Sequence, residues 1–191
     1  MKAIKNFLSA TLILVCPIGM HGQEESAYMP KFTIKTNTVY LATATANLGF
    51  ELGLSPKLTL DLSGSYNPWR FSDHKQFKHW LIQPELRYWL HERFNGHFLG
   101  MHAHYAGVNV SNLFGTGHKR YQGYIYGAGI SYGYQWAIGK RWSMEAEIGI
   151  GYAHVNYDRY DCGKCKSQSG RGHKNYFGPT TVALNIIYAI K

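Results

Sequence analysis

The chain has 191 residues, enough for one domain, and 20 Lys and Arg against 11 Asp and Glu give a formal charge of +9. Charged residues are only 16% and aromatics 15%, with 15 Tyr, 5 Trp and 21 Gly, while the mean hydropathy is −0.29. Beyond the first 22 residues no stretch is apolar enough for a membrane helix, so a helical membrane protein is excluded. Abundant Tyr, Trp and Gly without apolar blocks instead suits membrane-crossing strands, whose lipid face takes every second residue.

Residues 1–22 read as a signal peptide. Lys2 and Lys5 form a positive start, and a short apolar run over 7–15 is broken by Pro17 and Gly19. Cleavage is expected near Gly22 and Gln23. A rival reading makes Cys16 a lipidated cysteine, but Val15 stands where a small residue is required. Without the leader the charge falls to +7 and only Cys162 and Cys165 remain of the three cysteines. Export implies an oxidising compartment, where that pair is expected to close as a disulfide in a long loop.

Residues 23–191 are expected to form strands, because apolar and polar side chains alternate with period two between turn signals. The first, over 33–42, alternates least well. Over 47–54, Leu48, Phe50, Leu52 and Leu54 oppose Asn47, Gly49, Glu51 and Gly53. Over 58–67, Leu58, Leu60, Leu62 and Tyr66 oppose Thr59, Asp61, Ser63 and Ser65. Over 79–90, Trp80, Ile82, Leu86, Tyr88 and Leu90 oppose Gln83, Glu85, Arg87 and Trp89. Over 97–108, Leu99, Met101, Ala103 and Tyr105 oppose Gly100, His102 and His104. Over 121–136 a Tyr- and Ile-rich face opposes glycines, Ser131 and Gln135. Over 142–157, Trp142, Met144, Ala146, Ile148, Ile150 and Tyr152 oppose Ser143, Glu145, Glu147, Gly149, Gly151 and Ala153. The last strand, over 176–190, places Val182, Leu184, Ile186, Tyr188 and Ile190 together.

Eight strands, an even number, predict an all-β fold: an antiparallel, transmembrane, up-and-down β-barrel. Short turns at 55–57, 92–96 and 138–141 alternate with long connections at 68–78, 109–120 and 158–174. Only 43–46 is short on the latter side. This alternation predicts both termini in the periplasm and the long loops outside a bacterial outer membrane. An eight-stranded bore holds little more than side chains, so the bulky face is expected to point outward and the small, polar face inward. Tyr40, Tyr66, Trp80 and Tyr124 would mark one membrane interface, and Tyr88, Trp136, Trp142 and Tyr188 the other. A lipocalin-like soluble barrel is the alternative.

The bore would then contain Lys35, Glu51, Asp61, Glu85, Arg87, Glu145 and Glu147. Charges away from water must pair, so Lys35 and Arg87 are expected to meet some of these carboxylates and to close the channel against a porin role. The long loops carry Arg70, Lys75, Lys78, Lys119, Arg120, Lys164, Lys166, Arg171 and Lys174, a basic rim suited to the phosphates of lipopolysaccharide. A merely solvated rim explains the same residues. Cys162-Gly163-Lys164-Cys165 supplies only two of the four ligands of a structural zinc site and lacks a βαβ context for redox catalysis. His102 and His104 could reach one metal, but paired histidines inside a barrel are more often hydrogen-bonded. No nucleophile elbow, phosphate loop or metalloprotease motif is present, and neither a cofactor nor a nucleic-acid partner is expected.

Several stretches together carry a resemblance. They are Lys35-Thr36-Asn37, Tyr66-Asn67-Pro68-Trp69, the run Gln83-Pro84-Glu85-Leu86-Arg87-Tyr88-Trp89 and Phe94-Asn95-Gly96-His97-Phe98. Tyr132-Gly133-Tyr134, Gly149-Ile150-Gly151-Tyr152 and Tyr176-Phe177-Gly178-Pro179-Thr180 complete the set. In these stretches the chain resembles a family of Bacteroidetes outer-membrane proteins that share domain of unknown function 3575. The resemblance implies an OmpA-like barrel without a periplasmic domain, no known activity or catalytic residues, and a link to fimbria assembly. The ending Tyr188-Ala189-Ile190-Lys191 lacks the terminal aromatic of many such barrels. The expectation is a non-enzymatic surface protein. The alternative is a lipid A-modifying acyl hydrolase or acyltransferase using His154 with Ser111 or Ser131.

Overall fold

The computed structural model describes residues 30–69, 76–111, 119–161 and 168–190. Eight antiparallel strands pair in chain order: β1 (Phe32–Asn37), β2 (Ala46–Ser55), β3 (Leu58–Asn67), β4 (Gln76–Trp89), β5 (Gly96–Ser111), β6 (Lys119–Ala137), β7 (Trp142–Asp161) and β8 (Gln168–Ile190). β8 pairs with β1, from Phe32↔Ile190 to Asn37↔Asn185, and the sheet closes into an all-β barrel. Closure removes the unpaired edges that an open sheet would expose. The short turns, the start of β1 and the end of β8 share one end, here the turn rim. The opposite end is the loop rim.

The first expected strand is shorter than 33–42. Its pairing with β2 stops at Lys35↔Gly49, and Thr38–Ala42 forms a single helical turn, α1. The cause is local. The Asn37 side-chain oxygen accepts the Val39 N–H at 2.9 Å as an N-cap, and Asn47 Oδ1 accepts the Asn37 N–H at 2.6 Å. These bonds give the backbone an alternative to the ladder. Three later connections are shorter than expected, because β4 begins at Gln76, β5 runs to Ser111, β6 begins at Lys119, and β7 and β8 reach Asp161 and Gln168.

Strand length grows from 6 residues in β1 to 23 in β8, so the wall is low over β1–β3 and tall over β6–β8. The bulky face points outward along the lower part of this wall. Phe50, Leu62, Ile82, Met101, Ile130, Ile148 and Val182 are each at least half exposed. Among the described residues no Asp, Glu, Lys or Arg takes an outward position in this belt. An exposed apolar surface of that extent is far beyond the patches a soluble monomer carries.

The bore is not filled by small residues alone, as composition suggested. Trp89 and Phe98 are fully buried, and Phe94 joins them at the turn rim, with ring centroids of Trp89 at 4.9 Å from Phe98 and 6.0 Å from Phe94. Gly133 lies directly across from Phe98, and a Cβ there would overlap the Phe98 ring. One large side chain is matched to one missing one, which is how a narrow interior packs densely.

Candidate functional site

Above the aromatic layer sits the charged cluster. Alternation turns Lys35, Glu51, Asp61, Glu85, Arg87, Glu145 and Glu147 into the bore, and all seven are buried. Arg87 is its centre. Its Nε lies 2.7 Å from Glu85 Oε1, and Nη1 lies 3.1 Å from Glu51 Oε2 and 2.8 Å from Glu145 Oε2. Its Nη2 lies 2.7 Å from Glu147 Oε2 and 3.4 Å from Asp61 Oδ2. Lys35 Nζ adds contacts of 2.6 Å to Glu51 and 3.2 Å to Asp61. A planar guanidinium with five donors suits this crowd of carboxylates in a way an ammonium does not.

Neutral donors meet some of the remaining lone pairs, while Asp61 Oδ1, Glu85 Oε2 and Glu147 Oε1 have no hydrogen-bond partner among the described residues. Thr59 donates to Glu51, Asn185 to Glu145 at 2.7 Å, and Ser131 to Glu85 at 3.1 Å. Trp89 Nε1 donates to Thr59 at 2.9 Å, which ties the aromatic layer to the charged one, and Arg87 Cζ stands 4.4 Å from the Phe98 ring centroid. Every strand contributes: Lys35 from β1, Glu51 from β2, Asp61 from β3, Arg87 from β4, Phe98 from β5, Ser131 from β6, Glu145 from β7 and Asn185 from β8. A cavity of about 50 Å³, bordered by Asp61, Gln83, Glu147 and Thr181, lies above the cluster and holds at most a few waters.

Sequence reasoning missed Thr59 and Asn185 as members, and Phe98 as the ring under Arg87. Phe98 shares parity with Gly100, His102 and His104, so periodicity carried the signal. Phe94 has no such signal: it lies in the turn at residues 90–95 with φ +65°. That left-handed backbone is costly for a side chain of this size, and it aims the ring into the bore.

His102 and His104 also point inward, 5.9 Å apart between ring centroids. His102 Nε2 lies 2.9 Å from Thr180 Oγ1, and its Nδ1 lies 3.7 Å from Glu85 Oε2. Thr180 is the extra residue of a bulge in β8, where Gly149 faces Thr181 and Ile150 faces Pro179. Proline has no N–H for the ladder, and the bulge it accompanies re-aims Thr180 onto His102. Among the described residues no group of three His, Cys, Asp or Glu could hold a metal ion.

The enzyme candidates do not meet. Ser131 is buried on the inner face, bonded to Glu85, whereas His154 stands on the outer face with Asn175 Oδ1 at 2.7 Å from its Nδ1. Ser111 pairs with Arg120 near the loop rim, well along β5 from Tyr105, which is level with Tyr126 and His154.

Of the basic residues, Lys78, Arg120, Arg171 and Lys174 lie on strand extensions rather than in loops, and Lys119 begins β6. Arg70, Lys75, Lys164, Lys166, Cys162 and Cys165 lie outside the described residues. The extensions carry a feature that alternation alone does not show: their outward face reverses from apolar to polar. Along β7 the outward side chains run Trp142, Met144, Ala146, Ile148, Ile150 and Tyr152, then His154, Asn156 and Asp158. The inward ones run Ser143, Glu145, Glu147, Gly149, Gly151 and Ala153, then Val155, Tyr157 and Arg159, and Lys174 of β8 shares that parity opposite Val155. β8 changes at Phe177 to Asn175, β6 at Tyr124 to Gln122, and β4 at Trp80 to Lys78. At the other end Trp142 packs edge-on against Tyr188 at 5.0 Å, and Arg141 donates to the Tyr188 hydroxyl at 3.1 Å.

The sequence model of the family described as Protein of unknown function (DUF3575) matches residues 8–190. The chain belongs to this family. No curated protein and no solved structure matches it. For this DUF3575 barrel the family therefore names no reaction and no ligand, and the geometry carries the functional argument alone.

Proposed function

We propose that this protein is a non-enzymatic barrel of a bacterial outer membrane, with both termini in the periplasm and a structural or surface-interaction role. The observation that carries the reading is the apolar belt bounded by the polarity reversal. From Trp142 to Tyr152 the belt covers ten residue steps of β7. At about 3.3 Å per residue and a tilt near 40°, that is roughly 25 Å of height, the span of the apolar band of outer-membrane barrels. Tyr and Trp cluster at both margins, where amphipathic rings favour an interface. Below the reversal the wall is built for acyl chains. Above it, the outward positions are polar, as on a wall that meets water.

The closed bore argues against solute transport, and the separation of His154 from Ser131 and Ser111 withdraws support from an acyl-transfer reading. What remains is the outer surface: a wall in contact with lipid and lipopolysaccharide, and a tall basic rim that could meet a fimbrial or other surface protein. The test is refolding from urea into vesicles of dimyristoylphosphatidylcholine. A band that migrates differently when unboiled, and floats with the vesicles after alkaline wash, is expected. A protein that folds and stays soluble without lipid or detergent would refute the reading.

A further inference from the structure

We propose that the outer wall of β4–β6 binds one phosphate-bearing lipid of the outer leaflet, its head group on Lys78 and Arg120; this rests on the membrane reading above. The two cations stand just above the aromatic margin. Lys78 is paired with Asn109 across β4 and β5, Asn109 with Gln122, and Arg120 with Ser111. Arg120 donates from Nε to Asn109 Oδ1 at 2.9 Å and from Nη2 to Gln122 Oε1 at 3.3 Å. Neutral amides thus orient the guanidinium without cancelling its charge. Among the described residues no carboxylate pairs with Lys78 or Arg120. Arg171, also outward, is different: its Nε lies 3.0 Å from Asp158.

Beneath them is a groove of about 230 Å³ bordered by Tyr66, Lys78, Trp80, Gly107, Gln122 and Tyr124. Its floor is built from rings. Trp80 meets Tyr105 edge-on at 5.3 Å, and Tyr105 stacks on Tyr124 at 6.0 Å with planes 2° apart. Trp80 lies across Gly107, where a Cβ would overlap its Nε1. This is a place where only glycine lets a ring lie flat on the wall.

Lower on the same strands runs an apolar trough of about 610 Å³, lined by residues including Leu86, Leu99, Met101, Ile130 and Ile148. Between groove and trough stand first a row of outward Ile82, Tyr105 and Tyr126, then a low row of exposed Pro84, Ala103 and Ala128 that opens onto the trough. Leu86 lies six residue steps along β4 from Trp80. At about 3.3 Å per residue and a tilt near 40° this is roughly 15 Å of depth, half of a hydrocarbon core about 30 Å thick. A charged site at the interface, a ring floor and a chain-wide trough one leaflet deep match the parts of a single anionic lipid. Phosphate is the head-group chemistry that Arg and Lys together select, through charge-assisted hydrogen bonds.

The test uses the whole barrel purified in maltoside micelles, incubated with phosphorylated lipid A, with its dephosphorylated form, or with phosphorylated lipid A plus excess inorganic phosphate, and read by native mass spectrometry. One retained phosphorylated lipid A is expected, with retention of the dephosphorylated form lower by about tenfold, the scale of one lost charge-assisted contact. Lys78→Ala/Arg120→Ala is expected to lower retention of phosphorylated lipid A by a similar factor. Gly107→Ala keeps both charges but displaces Trp80, and is also expected to lower it. Heat-modifiable mobility checks that each variant is folded. Equal retention of both lipid forms, or by the double variant, would overturn the proposal, as would complete displacement by inorganic phosphate, which would indicate a free-anion site. A folded barrel that retains no lipid overturns this inference and leaves the proposed function standing. Solubility without detergent overturns both.

Discussion

Arg87 sits where five carboxylates converge, within 3.4 Å of an oxygen on each. Removing it leaves those charges facing one another with only Lys35 to balance them. Breaking one partner of a buried ionic group typically costs about 3–5 kcal/mol, most of it from the charge left unpaired. Arg87→Met is therefore expected to lower the unfolding free energy by about that amount in urea titrations of the vesicle-bound barrel. Arg87→Met/Glu147→Gln should recover part of the loss, because one of the stranded carboxylates goes with it. Additive losses in that cycle, or a single-variant loss below about 1 kcal/mol, would mean the cluster is solvated rather than sealed.

On the membrane reading proposed above, single strands carry two environments, and β7 tests this most directly. Ile148 and Asn156 both point outward, eight residues apart, on either side of the reversal at Tyr152. A lysine at mid-belt in an outer-membrane barrel costs about 2–4 kcal/mol, falling toward zero near the interface. Ile148→Lys should therefore hinder refolding into vesicles, whereas Asn156→Lys should refold as the parent does. Equal refolding yields would remove the boundary from where the side chains put it. Much of this architecture was legible in advance. The Leu, Tyr and Ile faces of 47–54, 121–136 and 142–152 declare their strands and their outward parity, because a period of two survives any tertiary setting. The reversal beyond Tyr152 was not legible as such: read through to Tyr157, the alternation stays regular while the meaning of each face changes. α1 was hidden because Asn37 and Asn47 replace ladder bonds by side-chain bonds, which no hydropathy pattern records. Within the site, parity placed all seven charged residues in the bore. It could not name their partners, which depend on how the eight strands are staggered around the ring.

At the scale of the whole barrel the bore is closed twice. Trp89, Phe94 and Phe98 fill the turn rim, and the Arg87–Lys35 cluster fills the section above, with Trp89 Nε1 bonded to Thr59 as the link between them. The two closures differ in kind: one is a packed apolar layer that excludes water by volume, the other a cross-linked ionic layer anchored on every strand. Ions crossing the bore would have to displace both. The wild-type barrel in planar bilayers is therefore expected to give no steady conductance. The more discriminating case is Trp89→Ala/Phe94→Ala/Phe98→Ala, which opens the turn rim but leaves every charge in place. If the ionic layer closes the bore independently, this variant also stays silent, although its stability falls by several kcal/mol from the lost ring burial. Stable openings in the triple variant alone would make the rings the real barrier. Openings in the wild type would return transport to the list of functions this barrel can perform.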